Sequence, residues 1–245
     1  MGGGRAAPVI VLVEPGRCAA GASIGLVEGE SHHLRVRRAR DGEHVELRDG
    51  AGLTGTGRLT RSERDWAVVI ERAERRPAPA ALVLAVGAGD RDRFAAVVEK
   101  AVELGVTAIV PVVTDRVAGV ASRLRPSHLE KLRRLALESV KQSGNPWACE
   151  VHEPLSLADL LARSADGARW LADPAGEPPA ARLREADAAT FLVGPEGGLT
   201  AAERSASIGA GFRPIALGPH ILRFETAALA AAGAVQAARL RGRDG

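Results

Sequence analysis

Two glycine-bearing stretches near the C-terminus hold the residues best placed to do chemistry. The first, residues 194–200, reads Gly194-Pro195-Glu196-Gly197-Gly198-Leu199-Thr200. It leaves an apolar run, so it sits at the end of a buried strand. Gly197 and Gly198 bare their backbone amides. Thr200, with Glu203 three residues on, forms the capping box that opens a helix. Bare amides beside a helix N-terminus suit a polar ligand. The second stretch, residues 216–227, reads "ALGPHILRFETA". Gly218 frees the backbone there, and Ile221 and Leu222 can wall an apolar slot for a flat ring. Arg223 and Glu225 follow at once: a cation that can hold developing negative charge, and a carboxylate that can take a proton. Glu225 also has a plain reading, as a first-turn carboxylate serving the helix dipole. Either stretch alone is an ordinary strand-to-helix turn. Two in succession, each at the C-terminal end of a strand, point to a ligand crevice there.

Other residue groups offer chemistry and lose it on inspection. Residues 83–90, "VLAVGAGD", look like the cofactor loop of a dinucleotide-type fold, with Asp115 as the acid after the next strand. The third glycine of that fingerprint is missing, and Arg91 and Arg93 would crowd the close backbone approach it needs. A tight turn into a helix is the better reading. His32-His33 has no evident third ligand, so it reads as a packing position. Cys18 and Cys149 form neither a CxxC pair nor a zinc spacing. They read as two reduced thiols, and no metal is expected.

The elements that must position these groups fall into two patterns. The first part, to about residue 73, reads as short strands: residues 9–13, 44–47, 53–59 and 66–70. An Asp49-Gly50 hairpin signal joins two of them. Residues 31–40 are the one helical candidate, with Ser31 as its cap. A small β-barrel follows from this. Residues 75–80, charged and proline-rich, are the best boundary in the chain, giving domains of residues 1–74 and 81–245. Beyond it strands and helices alternate. Strands are expected at 82–86, 108–113, 170–172, 190–193 and 214–217. Helices are expected at 93–104, at 127–143 with a Ser127–Glu130 capping box, at 157–162 and at 225–240. Such alternation implies an α/β domain with a largely parallel sheet.

Bulk properties fit this plan. The chain has 245 residues, 46% hydrophobic and 26% charged, enough for a sizeable core, and no tyrosine. The formal net charge of +3 permits a nucleic-acid partner without requiring one. Arginines cluster at 35, 37, 38 and 40, at 58, 61 and 64, and at 72, 75 and 76. No apolar run reaches the length of a membrane span, and the N-terminus lacks a signal-peptide layout, so a cytoplasmic location is expected.

The paired stretches carry a resemblance. "GPEGGLT" followed by "LGPHILRFETAALAA" resembles the RsmE family of SPOUT methyltransferases. So do "GDRDRFAAVVEKAVELGVTAIVPVVTDR", "KLRRLALESVKQSG" and, in the first domain, "HHLRVRRARDGEHVELRDGAG". The resemblance runs in order along nearly the whole chain. It implies a PUA-like RNA-binding barrel followed by a methyltransferase domain with a C-terminal trefoil knot, working as a homodimer. It implies transfer of a methyl group from S-adenosylmethionine to N3 of a uridine in 16S ribosomal RNA, near the decoding centre. By the same resemblance Gly194, Glu196 and Gly197 line one side of the cofactor. Leu217, Gly218, Ile221 and Leu222 hold its adenine, and Thr226 and Ala227 close the pocket near the methyl end. Arg223 is expected to stabilise charge on the uracil oxygens, with Glu225 or Glu196 accepting the proton. RNA contacts fall to Arg35, Arg37, Arg38, Arg91 and Gln142.

Four positions depart from the family's usual pattern: Ala88 for Lys, Asn145 for Arg, His220 for Arg and Phe224 for Thr. Lost basic groups weaken phosphate contacts but leave a backbone-made cofactor pocket intact. The departures motivate a competing class, an RNA-binding assembly protein that kept the fold and lost activity. The intact glycine loops argue against it. Methylation of a different RNA is a third possibility.

Overall fold

The computed structural model of the chain describes residues 9–16, 18–62, 65–87, 89–116, 124–163, 167–178, 183 and 188–241. Arg64 and Ala88, singled out above, lie outside them. The chain divides into two compact units, Met1–Ala78 with Val140–Ala148, and Pro79–Ser139 with Cys149–Gly245.

The first unit is built on β1 (Val9–Leu12), β2 (Ser23–Gly25), α1 (Glu28–Val36), β3 (His44–Arg48), β4 (Leu53–Ser62) and β5 (Asp65–Arg75). Its sheet runs β1-β3-β4-β5-β2, with β1 parallel to β3 and the other pairs antiparallel. Alternation along β5 turns Trp66, Val68 and Ile70 inward. They share one core with Leu34 of α1, Val45 and Leu47 of β3, and Leu53 and Leu59 of β4. The Asp49-Gly50 turn forms as its residues predict: Asp49 Oδ1 accepts the N–H groups of Ala51 and Leu53, at 2.8 and 2.9 Å.

Helix α1 differs from expectation. It starts at Glu28 and Ser31 does not cap it. Ser31 is fully buried inside the helix, and its Oγ accepts the N–H of Trp66 at 3.2 Å. Glu28 and Glu30 in the first turn complement the helix dipole instead. Residues 140–148 close this unit. Lys141 Nζ meets Glu30 Oε1 at 2.7 Å, and Glu30 is only 4% exposed.

The second unit contains β6 (Leu82–Gly87), α2 (Arg91–Glu103), β7 (Ala108–Val113), β8 (Glu150–Val151), β9 (Leu155–Ser156), α4 (Leu157–Ala162), β10 (Ala168–Glu177), β11 (Ala189–Val193), α5 (Ala201–Gly209), β12 (Arg213–Ile215) and α6 (Phe224–Arg241). Helix α3 (Pro126–Ser143) contributes all but its last turn. The sheet order is β12-β10-β11-β6-β7-β8, with β9 beside β7, and every pairing is parallel. Every residue of β11 is buried, as expected of a central strand covered on both faces. One face carries α2 and α6, which pack on each other; α6 also packs on β6 and β11. The other carries α4 and α5, over a core that includes Ala85, Val112, Leu160, Leu192 and Phe212.

Local chemistry explains most boundaries. Phe94, Val97, Val98, Ala101 and Val102 are the buried stripe of α2, and Asp90 caps it through the N–H groups of Asp92 and Arg93. Helix α3 begins at Pro126, so Ser127 lies inside its first turn rather than capping it. The N–H of Arg125 is taken by His128 Nδ1 at 3.3 Å. Strand β12 ends at Ile215, which leaves Leu217 in the following loop. Among the described residues no helix is long and apolar enough to cross a membrane.

Candidate active site

Gly87 and Gly89 of the "VGAGD" stretch are points of close packing. A Cβ on Gly87 would lie 2.5 Å from Pro195 N, and one on Gly89 would run into the Glu196 carboxylate. With no side chains in the way, the N–H of Asp90 donates to Glu196 Oε1 at 3.0 Å. The loop after β7 braces the same region. Arg116 Nη1 donates to Gly197 O, and the N–H of Asp115 donates to Glu203 Oε1 at 2.8 Å. Glu203 and Thr200 complete the capping box of α5. Burial alone would raise the Glu203 carboxyl. The N–H groups of Thr200 and Asp115, the Thr200 hydroxyl and the Arg116 charge outweigh it and hold the group below the usual carboxylate range.

Braced this way, the loop after β11 forms one wall of a cavity of about 570 Å³ at the C-terminal ends of β10, β11 and β12. That size lies within the roughly 300–1,000 Å³ of small-molecule clefts. Gly194, Glu196, Leu217, Gly218, Ile221, Leu222, Arg223 and Ala227 all line it. Gly197, Glu225 and Thr226 do not. Glu225 sits just behind, one-fifth exposed, with Oε1 3.6 Å from Arg93 Nη1 and Oε2 buried without a partner. Among the described residues no hydrogen bond holds the backbone of residues 217–222. A run of free amides and carbonyls beside apolar side chains is a cradle for a ligand with a ring and a polar edge.

Among the charged lining residues, Arg93, Asp173 and Arg204 are not ones the sequence points to as ligand contacts. Arg204 Nε meets Asp173 Oδ2 at 2.5 Å. The signal for Asp173 was present, since Asp173-Pro174 follows a strand-like run, but that this strand lies between β11 and β12 is a property of the sheet order. The departures also find places. Phe224 is buried and forms part of the cavity wall, while His220 lines it exposed. Asn145 Oδ1 accepts the N–H of Trp147 at 3.0 Å, a turn that an arginine could not make.

The residues expected to meet RNA fall in both units. In the first, Arg35 pairs with Glu28 and Arg37 with Glu43, at 2.6 and 2.5 Å, while Arg38 and Gln142 are exposed. In the second, Arg91 is exposed and stands near His128, Arg125 and Lys131. Desolvation, then the charges of Arg91, Lys131 and Arg125, lowers the His128 imidazole. His32 and His33 are exposed on α1, and among the described residues no group of three or more acids, cysteines and histidines is placed to hold a metal. Cys18 and Cys149 are free thiols; burial, with the charge of Glu150, pushes Cys149 up to about 12.

Comparison with known proteins agrees with this geometry. The profile of the RNA methyltransferase domain family matches residues 76–236, and that of the RNA methyltransferase PUA domain matches residues 26–71. The ribosomal RNA small subunit methyltransferase E of Aquifex aeolicus is 30% identical over 82% of this chain and 89% of its own. The chain belongs to the RsmE family of RNA methyltransferases. The Synechocystis member is likewise 30% identical, over 88% of this chain and 73% of its own. The crystal structure of the RsmE of Neisseria gonorrhoeae, bound to S-adenosyl methionine, superposes with a TM-score of 0.84 at 30% identity, covering 94% of this chain and 98% of that one. An RsmE-type fold therefore accounts for the parallel sheet, and the PUA match for the first unit.

Proposed function

We propose that the chain methylates N3 of a uridine in the 16S rRNA of the small ribosomal subunit, near the decoding centre, using S-adenosylmethionine. The carrying observation is the cavity at the ends of β10, β11 and β12, with its apolar wall and the backbone of residues 217–222, which has no hydrogen-bond partner among the described residues. The residues fit the cofactor. Leu217, Ile221 and Leu222 suit the adenine ring, and the free amides and carbonyls suit its polar edge. Gly194 and Glu196 form the opposite side, and Ala227 stands near the methyl end. Gly197 and Thr226 act from just outside the lining.

Uracil N3 carries a proton and is a weak nucleophile until that proton leaves. When bound, the cofactor supplies a methyl group on a sulfonium sulfur, a good leaving group that needs no metal. Arg223, exposed at the cavity, neutralises charge on the uracil oxygens as N3 is deprotonated. Of the two carboxylates, Glu196 already accepts the amide of Asp90, whereas Glu225 has an oxygen without a partner. Glu225 stands behind the lining, paired with Arg93 through its other oxygen, so it takes the proton by turning its side chain into the cavity. The domain of residues 1–74 grips RNA through Arg35, Arg37, Arg38 and, from the segment grouped with it, Gln142; Arg91 adds a contact from the catalytic domain. The trefoil knot, the homodimer and the cytoplasmic location belong to the same proposal.

Calorimetric titration with S-adenosylmethionine, paired with label transfer to small ribosomal subunits, tests it. The wild-type chain should bind and transfer. Arg223→Ala should bind equally well yet transfer about 10²–10³-fold more slowly, the usual loss when a charge-stabilising donor is removed. Absence of wild-type binding would sink the proposal, and a full transfer rate in the variant would remove Arg223 from it.

A further inference from the structure

Arg93 stands in the first turn of α2, where the helix dipole disfavours a cation. Its side chain, 39% exposed, lines the cavity, whereas Glu225 does not. The two meet at 3.6 Å between Nη1 and Oε1, an ion pair longer than a hydrogen bond. Among the described residues the Arg93 guanidinium has no other partner. Arg204 is the other arginine of the cavity held by an acid, and its pair is closed. Its Nε hydrogen-bonds to Asp173 Oδ2, while Asp173 Oδ1 accepts the amide of Ala175. The Arg93 pair is open, because Glu225 Oε2 is buried with no partner. Arg223 lines the same cavity from the residue before α6, and among the described residues its guanidinium has no hydrogen-bond or ion-pair partner. Helices α2 and α6 pack on each other. Their starts thus bring two arginines to one cavity, with a carboxylate loosely paired to one of them.

We infer that Arg93 is a second charge-stabilising residue, one that exchanges Glu225 for an oxygen of the target uracil as the N3 proton leaves. This role rests on the proposed methylation of uridine N3. Two carbonyl oxygens flank that nitrogen, and its deprotonation spreads one negative charge over both. Arg223 serves one oxygen and Arg93 the other. Glu225 leaves Arg93 when it turns into the cavity, so the cation is released as charge appears on the base. The N3–H bond breaks and the proton passes to the Glu225 carboxylate, which becomes neutral. The negative charge is then on the uracil, and Arg93 pairs with it there. The N3 electron pair takes the methyl group, and the electrons of the old bond stay with sulfur. Donors already in place for the developing charge are the largest ordinary source of such rate enhancement.

The test measures label transfer from S-adenosylmethionine to small ribosomal subunits, at saturating cofactor, from neutral to alkaline pH. Wild type, Arg93→Ala and Arg93→Lys are compared, and cofactor affinity is read separately by calorimetry. Arg93→Ala should lower kcat by about 10²–10³-fold with KM for the subunit nearly unchanged, because the contact exists only as charge develops. Arg93→Lys keeps the charge without the planar fork and should recover part of the loss. The deficit of Arg93→Ala should shrink at alkaline pH, where uracil N3 loses its proton unaided. A residue that merely supports the fold would leave a deficit independent of pH. Both variants should bind the cofactor as tightly as the wild type. A full rate in Arg93→Ala, a deficit constant in pH, or a parallel loss of cofactor affinity overturns the role of Arg93 and leaves uridine methylation standing. A wild type that yields no 3-methyluridine overturns both.

Discussion

Gly89 and Glu196 show how a glycine can serve a site that it does not touch. The carboxylate of Glu196 occupies the space where a Cβ on residue 89 would be, and it holds the amide of Asp90 from there. Gly89→Ala should push Glu196 and its loop away from the cavity. The expected outcome is a fall of about tenfold or more in affinity for S-adenosylmethionine, the scale of a lost charge-assisted hydrogen bond, with the circular dichroism spectrum unchanged. Unchanged affinity would show that the loop position does not matter to the cavity. The same pair explains why a glycine fingerprint misleads: glycine permits close approach, and the approaching group here is the protein's own carboxylate. Lys141 and Glu30 form the other pair with large leverage. Lys141→Ala leaves a carboxylate that is 4% exposed without its ion-pair partner. A loss of about 3–5 kcal/mol in unfolding free energy is expected, measurable by chemical denaturation.

Among elements, α5 has the most instructive start. The Glu203 side chain closes the capping box and also receives the amide of Asp115. Its carboxyl is lowered in the fold, so its stabilising contribution is present above the unfolded value, about 4.3 for glutamate. It is lost as pH falls through the lower, folded value. Glu203→Gln should therefore lower stability at neutral pH by about 1–2 kcal/mol and flatten the acid limb of the stability curve; parallel acid limbs would contradict it. The capping box could be read from Thr200 and Glu203 alone, because the motif is local. The long strands and helices could also be read, since their apolar residues keep a period of two or of 3.6. Ser31 could not, because its hydroxyl serves Trp66, 35 positions away, rather than the helix start. The short strands β2, β8 and β9, two or three residues each, carry no period at all.

For the whole molecule, two glycine loops announced a crevice, and the parallel sheet supplies it by bringing the ends of β10, β11 and β12 together. The convergence of Asp173 and Arg204 is not legible in the sequence because it depends on β10 standing between β11 and β12, and strand order is not written in local pattern. Among the described residues the backbone of residues 217–222, in the loop after β12, has no hydrogen-bond partner. The decisive measurement follows from that cradle and from Arg223 beside it. Small ribosomal subunits from a strain lacking this activity are incubated with the purified chain and labelled S-adenosylmethionine, and the RNA is digested to nucleosides for mass spectrometry. Label in 3-methyluridine is the predicted result. Label in any other nucleoside, or none while the cofactor still binds, would contradict methylation at uridine N3.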